Sequence, residues 1–302
     1  MPLRHDVDLR EKTSFKIGGR ARDFFLVQTE VDLSAAVAVA EEKKIAPLIV
    51  GDMTNVLLPD EDLPYVIQLA PNNSILVDDT GKLKVWAGEK MAQVAWQVGQ
   101  QGWSGWENFA SLPGTVGGAV WNNAHYDSSL LSDTLLQVTF YDWRTKTIMT
   151  KEKTALNFAY DSSFFQHNKT VILWAIFQLK KEVDIRLITE KSLSTAKKRK
   201  ETQPLGQPSA GCFWQNPTNS EHLKKLFPQF ASQEKISAGF LIDQAGLKGK
   251  QIGAARVSEK QAAFIVNTGG ATSREVKELA KLIHTVVKNK FAVDLQTEVV
   301  II

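Results

Sequence analysis

The sequence contains little of what several classes of protein need. It has one cysteine, Cys212, in 302 residues, which excludes an internal disulfide and any metal site built from several cysteines. Its longest apolar run, VILWAIF at residues 171–177, is much shorter than the ~18 residues of a membrane span. The polar start, MPLRHDVDLREKTSF, does not resemble a signal peptide. These features favour a cytoplasmic protein without a membrane partner.

Charge and motif content exclude further classes. The net charge of +3 is small, and we interpret the densest basic run, KKRK at residues 197–200, as a solvated helix face rather than a nucleic-acid site. The five histidines lack metal-ligand spacing, and neither a Walker-type lysine loop nor a G-x-S-x-G elbow is present. We therefore expect no metal site, no P-loop chemistry and no hydrolase-type acyl transfer.

The hydrophobic pattern predicts an α+β protein with an α/β N-terminal part. DFFLVQ, DLSAAVAVAEEKK and APLIVG indicate a strand, a helix and a strand, with Asp32 or Ser34 at the helix N-cap. From SILVDD to TVILWAIFQLKK, mostly short strands and one helix are predicted. The last helix is amphipathic, and Thr272 and Glu275 have capping-box spacing. Its predicted apolar face consists of Val276, Leu279, Leu282, Ile283 and Val286.

Two glycine-containing loops are candidate ligand sites. GDMTN, at residues 51–55, follows a predicted strand, where backbone N–H groups can cradle a phosphate; a structural turn is the alternative. FASLPGTVGGAVWNN, at residues 109–123, lacks Cβ atoms at three positions, so a ligand or a neighbouring strand can approach closely. The spacing is not G-x-G-x-x-G, and a Rossmann nucleotide site is therefore a poor fit.

Seven motifs, in the same order, resemble those of the UDP-N-acetylenolpyruvoylglucosamine reductase family. GWENFASLPGTVGG is similar to the family's G-x-E-x-x-x-x-I-P-G-T-V-G-G, TSFKIGGRA to N-T-F-x-I-G-G-x-A, and GDMTNVLL to G-x-G-S-N-x-L. FAYDSSFFQ, QPSAGCFWQNP, residues 238–267 and LQTEVVII follow. The resemblance covers nearly the whole chain and is to the shorter type of this family.

The resemblance implies an FAD-binding fold of the vanillyl-alcohol-oxidase/PCMH type with a C-terminal substrate-binding domain. We expect one FAD-binding subdomain at residues 1–69 with the tail 296–302, a second at residues 70–203, and the substrate domain at residues 204–295. The residues implied to bind FAD are Gly51, Asp52, Met53, Thr54, Asn55, Leu112, Pro113, Gly114, Thr115, Gly117, Gly118 and Asn122.

The resemblance also implies a reaction. The family uses NADPH to reduce FAD, and then reduces the enolpyruvyl double bond of UDP-N-acetylglucosamine enolpyruvate to form UDP-N-acetylmuramate for peptidoglycan. Glu298 matches the glutamate that stabilises the developing enolate; by itself it would be an exposed residue of a terminal strand. Cys212 replaces the proton-donating serine, and its thiol is a stronger acid than a hydroxyl. A small buried hydrophobic role is the alternative for this cysteine. The implied substrate-binding residues are Tyr160, Gln215, Asn216 and Gln261.

Several positions depart from the family motifs. Where the family has Y-R-x-S this chain has YDSS, so Asp161 stands in place of the arginine that holds the substrate's carboxylate. Arg256 and Lys260 are the nearest replacement cations by motif. Gln215 replaces a lysine, Met53 replaces a glycine, and NNAHYD replaces N-A-G-A-Y-G. The alternative hypotheses are therefore a diverged flavin-binding protein with another substrate or little turnover, and a chain that has lost flavin and serves as an interaction module.

Overall fold

A computed structural model describes residues 3–127 and 129–302. The helices are α1 (Glu30–Lys43), α2 (Met91–Gln100), α3 (Val116–Asn122), α4 (Ile185–Thr202), α5 (Glu221–Leu226), α6 (Ala238–Gln244) and α7 (Ser273–Phe291). The strands are β1 (Leu3–Asp8), β2 (Arg20–Val27), β3 (Leu48–Val50), β4 (Val56–Leu57), β5 (Leu63–Leu69), β6 (Ile75–Val77), β7 (Lys82–Trp86), β8 (Trp103–Ser104), β9 (His125–Tyr126), β10 (Ser129–Leu130), β11 (Leu135–Asp142), β12 (Thr147–Glu152), β13 (Thr170–Gln178), β14 (Lys180–Lys181), β15 (Ser209–Cys212), β16 (Gln251–Ile252), β17 (Ala255–Val257), β18 (Phe264–Asn267) and β19 (Val300–Ile301).

The chain divides into two compact units. The first unit contains the residues up to Val7, Ala21–Asp52 and Leu63–Glu201. The second unit contains Asp8–Arg20, Met53–Asp62 and Thr202–Ile302. Each unit has its own hydrophobic core. The further division of residues 1–203 into two FAD-binding subdomains stays a prediction.

The first unit contains two main sheets. One has the strand order β1-β2-β5-β3, and β5 pairs in parallel with both β2 and β3. The other is antiparallel and has the order β12-β11-β13-β7-β6. Residues of both sheets and of the helices α1, α2 and α3 share one core, in which Trp86 and Trp106 are almost completely buried. The mixed α+β prediction is confirmed.

The predicted N-terminal strand, helix and strand correspond to β2, α1 and β3, but the predicted N-cap is wrong. Thr29, rather than Asp32 or Ser34, caps α1: its side chain accepts the N–H of Asp32, and the Asp32 carboxylate accepts the N–H of Thr29. This is a capping box, in which the cap and the third helical residue both carry side-chain acceptors. Asp32 is therefore inside the helix.

The glycine-rich stretch contains a short helix, α3, that its sequence pattern does not predict. Thr115 caps this helix by accepting the N–H of Gly118, and Asn123 ends it in the left-handed conformation, with φ +50°. A glycine inside a helix costs about 1 kcal/mol relative to alanine. Because α3 contains two glycines, its contacts with β7 and β13 have to supply its stability.

The basic run at residues 197–200 lies on α4. Lys197, Lys198 and Lys200 are exposed, in agreement with a solvated helix face. Arg199 is buried instead, and its guanidinium donates to the backbone carbonyl of Ser111. One residue of the run is therefore used to hold α4 against the loop that precedes α3.

The second unit contains an antiparallel sheet of order β15-β18-β17-β16 and a parallel pair of β19 with β4. The predicted capping box of α7 is confirmed, since Thr272 and Glu275 each accept the other's backbone N–H. Three of the five predicted apolar positions of α7 are fully buried, namely Val276, Leu279 and Ile283. The other two, Leu282 and Val286, lie at the edge of the same core.

Three further observations concern side chains and helices of residues 3–127 and 129–302. No helix there is long and apolar enough to cross a membrane. Within the same residues, no group of three or more His, Cys, Asp or Glu side chains is placed to hold a metal ion. Cys212 is a half-buried thiol on β15 and forms no disulfide.

Candidate active site

The first two residues of the loop at 51–55 lie beside the glycine-rich stretch. A Cβ atom on Gly51 would be 2.2 Å from Oγ1 of Thr115, so only glycine fits this approach. The side-chain amide of Gln68 donates to the carbonyl of Gly51 over 2.9 Å, and Lys90 forms an ion pair with Asp52. Two segments that are far apart in sequence are thus held in contact.

The glycines of the glycine-rich stretch serve different purposes. A Cβ on Gly117 would be 2.8 Å from the Cβ of Ala87, and the N–H of Gly117 donates to the carbonyl of Ala87 over 2.8 Å. Gly117 is therefore required by packing within the protein. A Cβ on Gly118 would meet nothing nearer than Oγ1 of Thr115 at 3.5 Å, and Gly118 is exposed. Gly114 adopts φ +102°, which favours glycine.

The N-terminus of α3 offers few free donors. The N–H of Val116 donates to the carbonyl of Glu89 over 2.9 Å, and the next two N–H groups bond to Ala87 and to Thr115. The other predicted FAD residues of this stretch include Pro113, which is exposed, and Leu112 and Asn122, which are half-buried. What α3 presents to a ligand is bare backbone at Gly118 rather than a row of unpaired N–H groups.

The other three residues of the loop belong to the second unit. Met53 has φ +51° and is 3% exposed, so a buried side chain is attached to a backbone conformation that glycine usually adopts. The carbonyls of Met53 and Thr54 accept hydrogen bonds from Ser14. The side chain of Asn55 donates to the carbonyl of Glu298 over 3.2 Å. The loop therefore anchors the C-terminal segment of the chain.

The two predicted catalytic residues of the second unit lie on adjacent segments. Cys212 ends β15, and the carbonyl of the next residue, Phe213, accepts the N–H of Glu298 over 3.0 Å. Trp214 and Thr297 form a β-bridge beside this contact. Glu298 is half-buried rather than exposed, which differs from what a terminal strand alone suggests. The segments that carry Cys212 and Glu298 are therefore hydrogen-bonded neighbours in the fold.

Two predicted substrate residues meet at the first turn of α6. Oδ1 of Asn216 accepts the N–H of Ala238 over 3.0 Å. Oε1 of Gln261 lies 2.2 Å from where a Cβ on Gly239 would be. Gln215, a third predicted substrate residue, is half-buried, and its N–H donates to the carbonyl of Gln296 over 2.9 Å. The sequence motifs contain these residues but do not indicate that α6 joins them.

The remaining predicted residues, Tyr160 and Asp161, lie in the first unit at the centre of a tight turn. Ala159 and Ser162 exchange two backbone hydrogen bonds across this turn, and Asp161 has φ +51°. The Asp161 side chain is completely buried, and its Oδ1 is 3.1 Å from Nδ1 of His125. Among the residues that the structure describes, neither carboxylate oxygen of Asp161 accepts a hydrogen bond, from His125 or from any other group.

Sequence reasoning missed His125 as a functional candidate. Its ring centre lies 4.5 Å from that of Tyr160, which the family motif places at the substrate. The only signal in the sequence was that NNAHYD departs from N-A-G-A-Y-G. The two predicted replacement cations, Arg256 and Lys260, belong to the second unit, and Nε of Arg256 is buried without a hydrogen-bond partner.

Comparison with known proteins identifies the family. Residues 203–302 match the model described as "UDP-N-acetylenolpyruvoylglucosamine reductase, C-terminal domain", and residues 22–150 match "FAD binding domain". A curated UDP-N-acetylenolpyruvoylglucosamine reductase from Protochlamydia amoebophila is 36% identical over 96% of this chain and 91% of its own length. The chain belongs to the UDP-N-acetylenolpyruvoylglucosamine reductase family.

Other members of the reductase family agree with this assignment. The protein of that name from Fervidobacterium nodosum is 34% identical over 97% of this chain and 89% of its own length. The crystal structure of the MurB reductase from Thermus caldophilus superimposes with a TM-score of 0.79 at 27% identity, covering 99% of both chains. The predicted FAD-binding fold with a C-terminal MurB-type domain is confirmed.

The residues of the first unit fit the flavin of this reductase family. Bare backbone at Gly118 leaves room for a flat ligand, because an added Cβ there would have only an ordinary contact. Gly51 and Asp52 lie next to Thr115, and Lys90 places a positive charge at the same point. Glu107 belongs to the family's G-x-E motif, and its carboxylate accepts the N–H of Gly105 over 3.0 Å, which fixes the loop that leads to α3.

Proposed function

We propose that this chain is an FAD-dependent reductase that uses NADPH to convert UDP-N-acetylglucosamine enolpyruvate to UDP-N-acetylmuramate. The observation that carries the proposal is the contact between the Cys212–Phe213 segment and Glu298, within residues that match the family's C-terminal domain. A thiol and a carboxyl group on neighbouring segments are the proton donor and the enolate stabiliser that this reduction needs.

FAD, when bound, carries hydride from NADPH to the substrate's alkene. Hydride addition at the terminal alkene carbon leaves a pair of electrons on the carbon next to the carboxylate, as an enolate. Glu298, in its acid form, donates a hydrogen bond to this enolate. The Cys212 thiol then transfers its proton to the carbon, which completes the reduction and leaves a thiolate that takes a proton from solvent.

The proposed ligand contacts follow the same division of the chain. In the first unit, Gly51, Asp52, Gly114, Thr115 and Gly118 contact FAD through backbone and short polar groups. In the second unit, Asn216 and Gln261 are held at α6 and contact the UDP-sugar, as their match to the family motifs implies. Gly117 serves the packing of α3 rather than the flavin.

The proposal also includes the cellular location of the reaction. The substrate is a nucleotide-activated sugar and the reductant is NADPH, and both are cytoplasmic metabolites. We therefore assign the activity to peptidoglycan precursor synthesis in the cytoplasm, with its consequences for cell shape and division.

A direct assay tests this function. Oxidation of NADPH by the FAD-loaded protein should depend on UDP-N-acetylglucosamine enolpyruvate. Glu298→Ala should lower kcat about 100- to 1,000-fold, and Cys212→Ala about 100- to 10,000-fold, as expected for the loss of an oxyanion donor and a general acid. Thr297→Ala, at the exposed neighbouring position, is the matched control and should keep nearly full activity. Full activity in both catalytic variants would refute the assigned roles.

A second candidate is favoured by one observation. Asp161 replaces the family arginine, and its carboxylate is buried in the protein, so no arginine holds a substrate carboxylate at this position. A diverged flavoprotein that acts on another substrate would bind FAD and lack turnover of UDP-N-acetylglucosamine enolpyruvate. The NADPH assay, performed with flavin binding measured in parallel, separates the two candidates.

A further inference from the structure

Asp161 and His125 form a close pair in the first unit, in which the aspartate side chain is buried. The Asp161 side chain is 0% exposed, and Nδ1 of His125 lies 3.1 Å from its Oδ1. Within residues 3–127 and 129–302, no hydrogen bond reaches either carboxylate oxygen. A buried carboxylate without donors is strongly unfavourable unless a cation neutralises it. The imidazole of His125 is the group that lies against this carboxylate.

Two uncharged side chains hold the turn that contains Asp161. Gln166 donates to the Asp161 carbonyl over 3.0 Å, and Asn123 holds the turn by donating to the Ala159 carbonyl over 2.7 Å. Both side chains are uncharged. His125 is the ion-pair partner that Asp161 has within residues 3–127 and 129–302.

The nearby basic and acidic side chains are engaged elsewhere. The guanidinium of Arg199 lies over the ring of Tyr126, 5.7 Å from its centre, and donates to the Ser111 carbonyl. Lys198 lies 3.4 Å from Asp127 in an exposed ion pair. The titratable side chain next to Asp161 is therefore the imidazole of His125.

His125 keeps one edge for a ligand. Its Nδ1 faces the buried carboxylate, and Nε2 lies on the opposite edge of the ring. The side chain is 21% exposed whereas that of Asp161 is not exposed at all, so the accessible part of the pair belongs to the imidazole. An imidazolium whose Nδ1 is held by a carboxylate presents a charge-assisted Nε2–H donor.

The position of this donor fits the substrate of the proposed function, on which the inference rests. The His125 ring contacts Tyr160, a predicted substrate residue, at 4.5 Å between ring centres. His125 also lies three residues after the end of α3, and the helix spans about 6 Å from the exposed Gly118 to Asn122. The enolpyruvyl substrate carries a carboxylate, which needs a cationic donor at this end of the site.

We propose that His125, held as a cation by Asp161, binds the carboxylate of the UDP-sugar substrate. In the family motifs, position 161 is arginine and position 125 is alanine; here the two positions are aspartate and histidine. In this proposal the cationic side chain is at position 125, whereas in the family motifs it is at position 161. The substitution at 161 that argues against the reductase function is thus compensated by the one at 125.

A binding experiment isolates the carboxylate. UDP-N-acetylmuramate differs from UDP-N-acetylglucosamine by a lactyl ether that carries the carboxylate. Isothermal titration calorimetry with FAD-loaded protein gives the ratio of the two affinities. Wild-type protein should prefer UDP-N-acetylmuramate about 10- to 100-fold, the contribution of a charge-assisted hydrogen bond. His125→Gln should abolish this preference and leave the affinity for UDP-N-acetylglucosamine unchanged.

Two further variants keep the test valid if glutamine at 125 impairs folding. Asp161→Asn preserves the shape of the turn and removes the anion that fixes the imidazolium, and it should lower the preference. His125→Ala combined with Asp161→Arg restores the family pair and should keep the preference. The flavin absorption band of each variant verifies that the first unit is folded.

The calorimetric results distinguish a failure of the proposed role of His125 from a failure of the proposed reductase function. If wild-type protein prefers UDP-N-acetylmuramate and His125→Gln retains that preference, the inference is wrong and the proposed function stands. If wild-type protein binds neither UDP-sugar, the proposed function is wrong and the inference falls with it.

Discussion

Two adjacent glycines of α3, Gly117 and Gly118, should respond in opposite ways to the same substitution. In Gly117→Ala the new Cβ would be 2.8 Å from the Cβ of Ala87, whereas carbon atoms pack best at about 3.5–4.0 Å. The neighbour cannot move aside freely, because the Ala87 carbonyl accepts the Gly117 N–H over 2.8 Å and its N–H donates to Leu173 over 2.8 Å. Overpacking of this kind costs about 1–3 kcal/mol.

Helix propensity opposes this cost but is smaller. Replacing glycine by alanine in a helix gains up to about 1 kcal/mol. Gly117→Ala should therefore lower the free energy of unfolding by about 1–2 kcal/mol. In Gly118→Ala the new Cβ has only an ordinary contact, at 3.5 Å from Thr115, so the gain in propensity should appear in the stability of the FAD-free protein. The same methyl group occupies the proposed flavin contact and should weaken FAD binding about tenfold or more.

Urea denaturation of the FAD-free proteins and titration with FAD test both variants. Gly118→Ala serves as the matched control for Gly117→Ala, since the two differ by one position on the same helix. A Gly117→Ala protein as stable as wild type would refute the packing argument. Unchanged FAD affinity in Gly118→Ala would refute the proposed flavin contact.

Two further predictions concern residues in the family motifs. Met53→Gly restores the family glycine and relieves a left-handed backbone that costs about 1–2 kcal/mol, but it removes a buried side chain worth about 2–5 kcal/mol. The variant should therefore be less stable by about 1–3 kcal/mol in urea denaturation, and a stabilised variant would contradict this balance. Burial raises the pKa of Glu107, but hydrogen bonds from Ser104 and from the backbone N–H groups of residues 107 and 105 outweigh it, so the pKa lies below its ordinary value. The stability supplied by the ionised carboxylate is present above the ordinary glutamate pKa and is lost as pH falls through the lowered value. Glu107→Gln should cost about 1–3 kcal/mol at neutral pH, and progressively less as the pH falls below the ordinary glutamate pKa and then through the lowered pKa, at which the folded wild-type carboxylate takes up a proton. A difference in stability that does not change with pH would exclude this role.

Local patterns in the sequence were sufficient where the physical cause was local. The capping box of Thr272 and Glu275 and the apolar face of α7 depend on residues three and four positions apart, and both are found in the structure. The predicted cap of α1 is wrong because Thr29 and Asp32 are both good N-cap residues, and which one begins the helix depends on the direction of the chain leaving β2. The motif order alone was sufficient to assign the family.

Tertiary structure was needed wherever the cause is a contact between distant segments. The sequence contains two neighbouring glycines, but only the approach of Ala87 separates the packing glycine at 117 from the exposed one at 118. The replacement of the family arginine by Asp161 suggests a loss of reductase function when only the sequence is considered. The sequence shows that the arginine is missing, but it does not show which side chain lies beside Asp161. Oδ1 of Asp161 is 3.1 Å from Nδ1 of His125, which lies 36 positions earlier in the chain. Only the folding of the turn at Asp161 and of β9 brings these two atoms together.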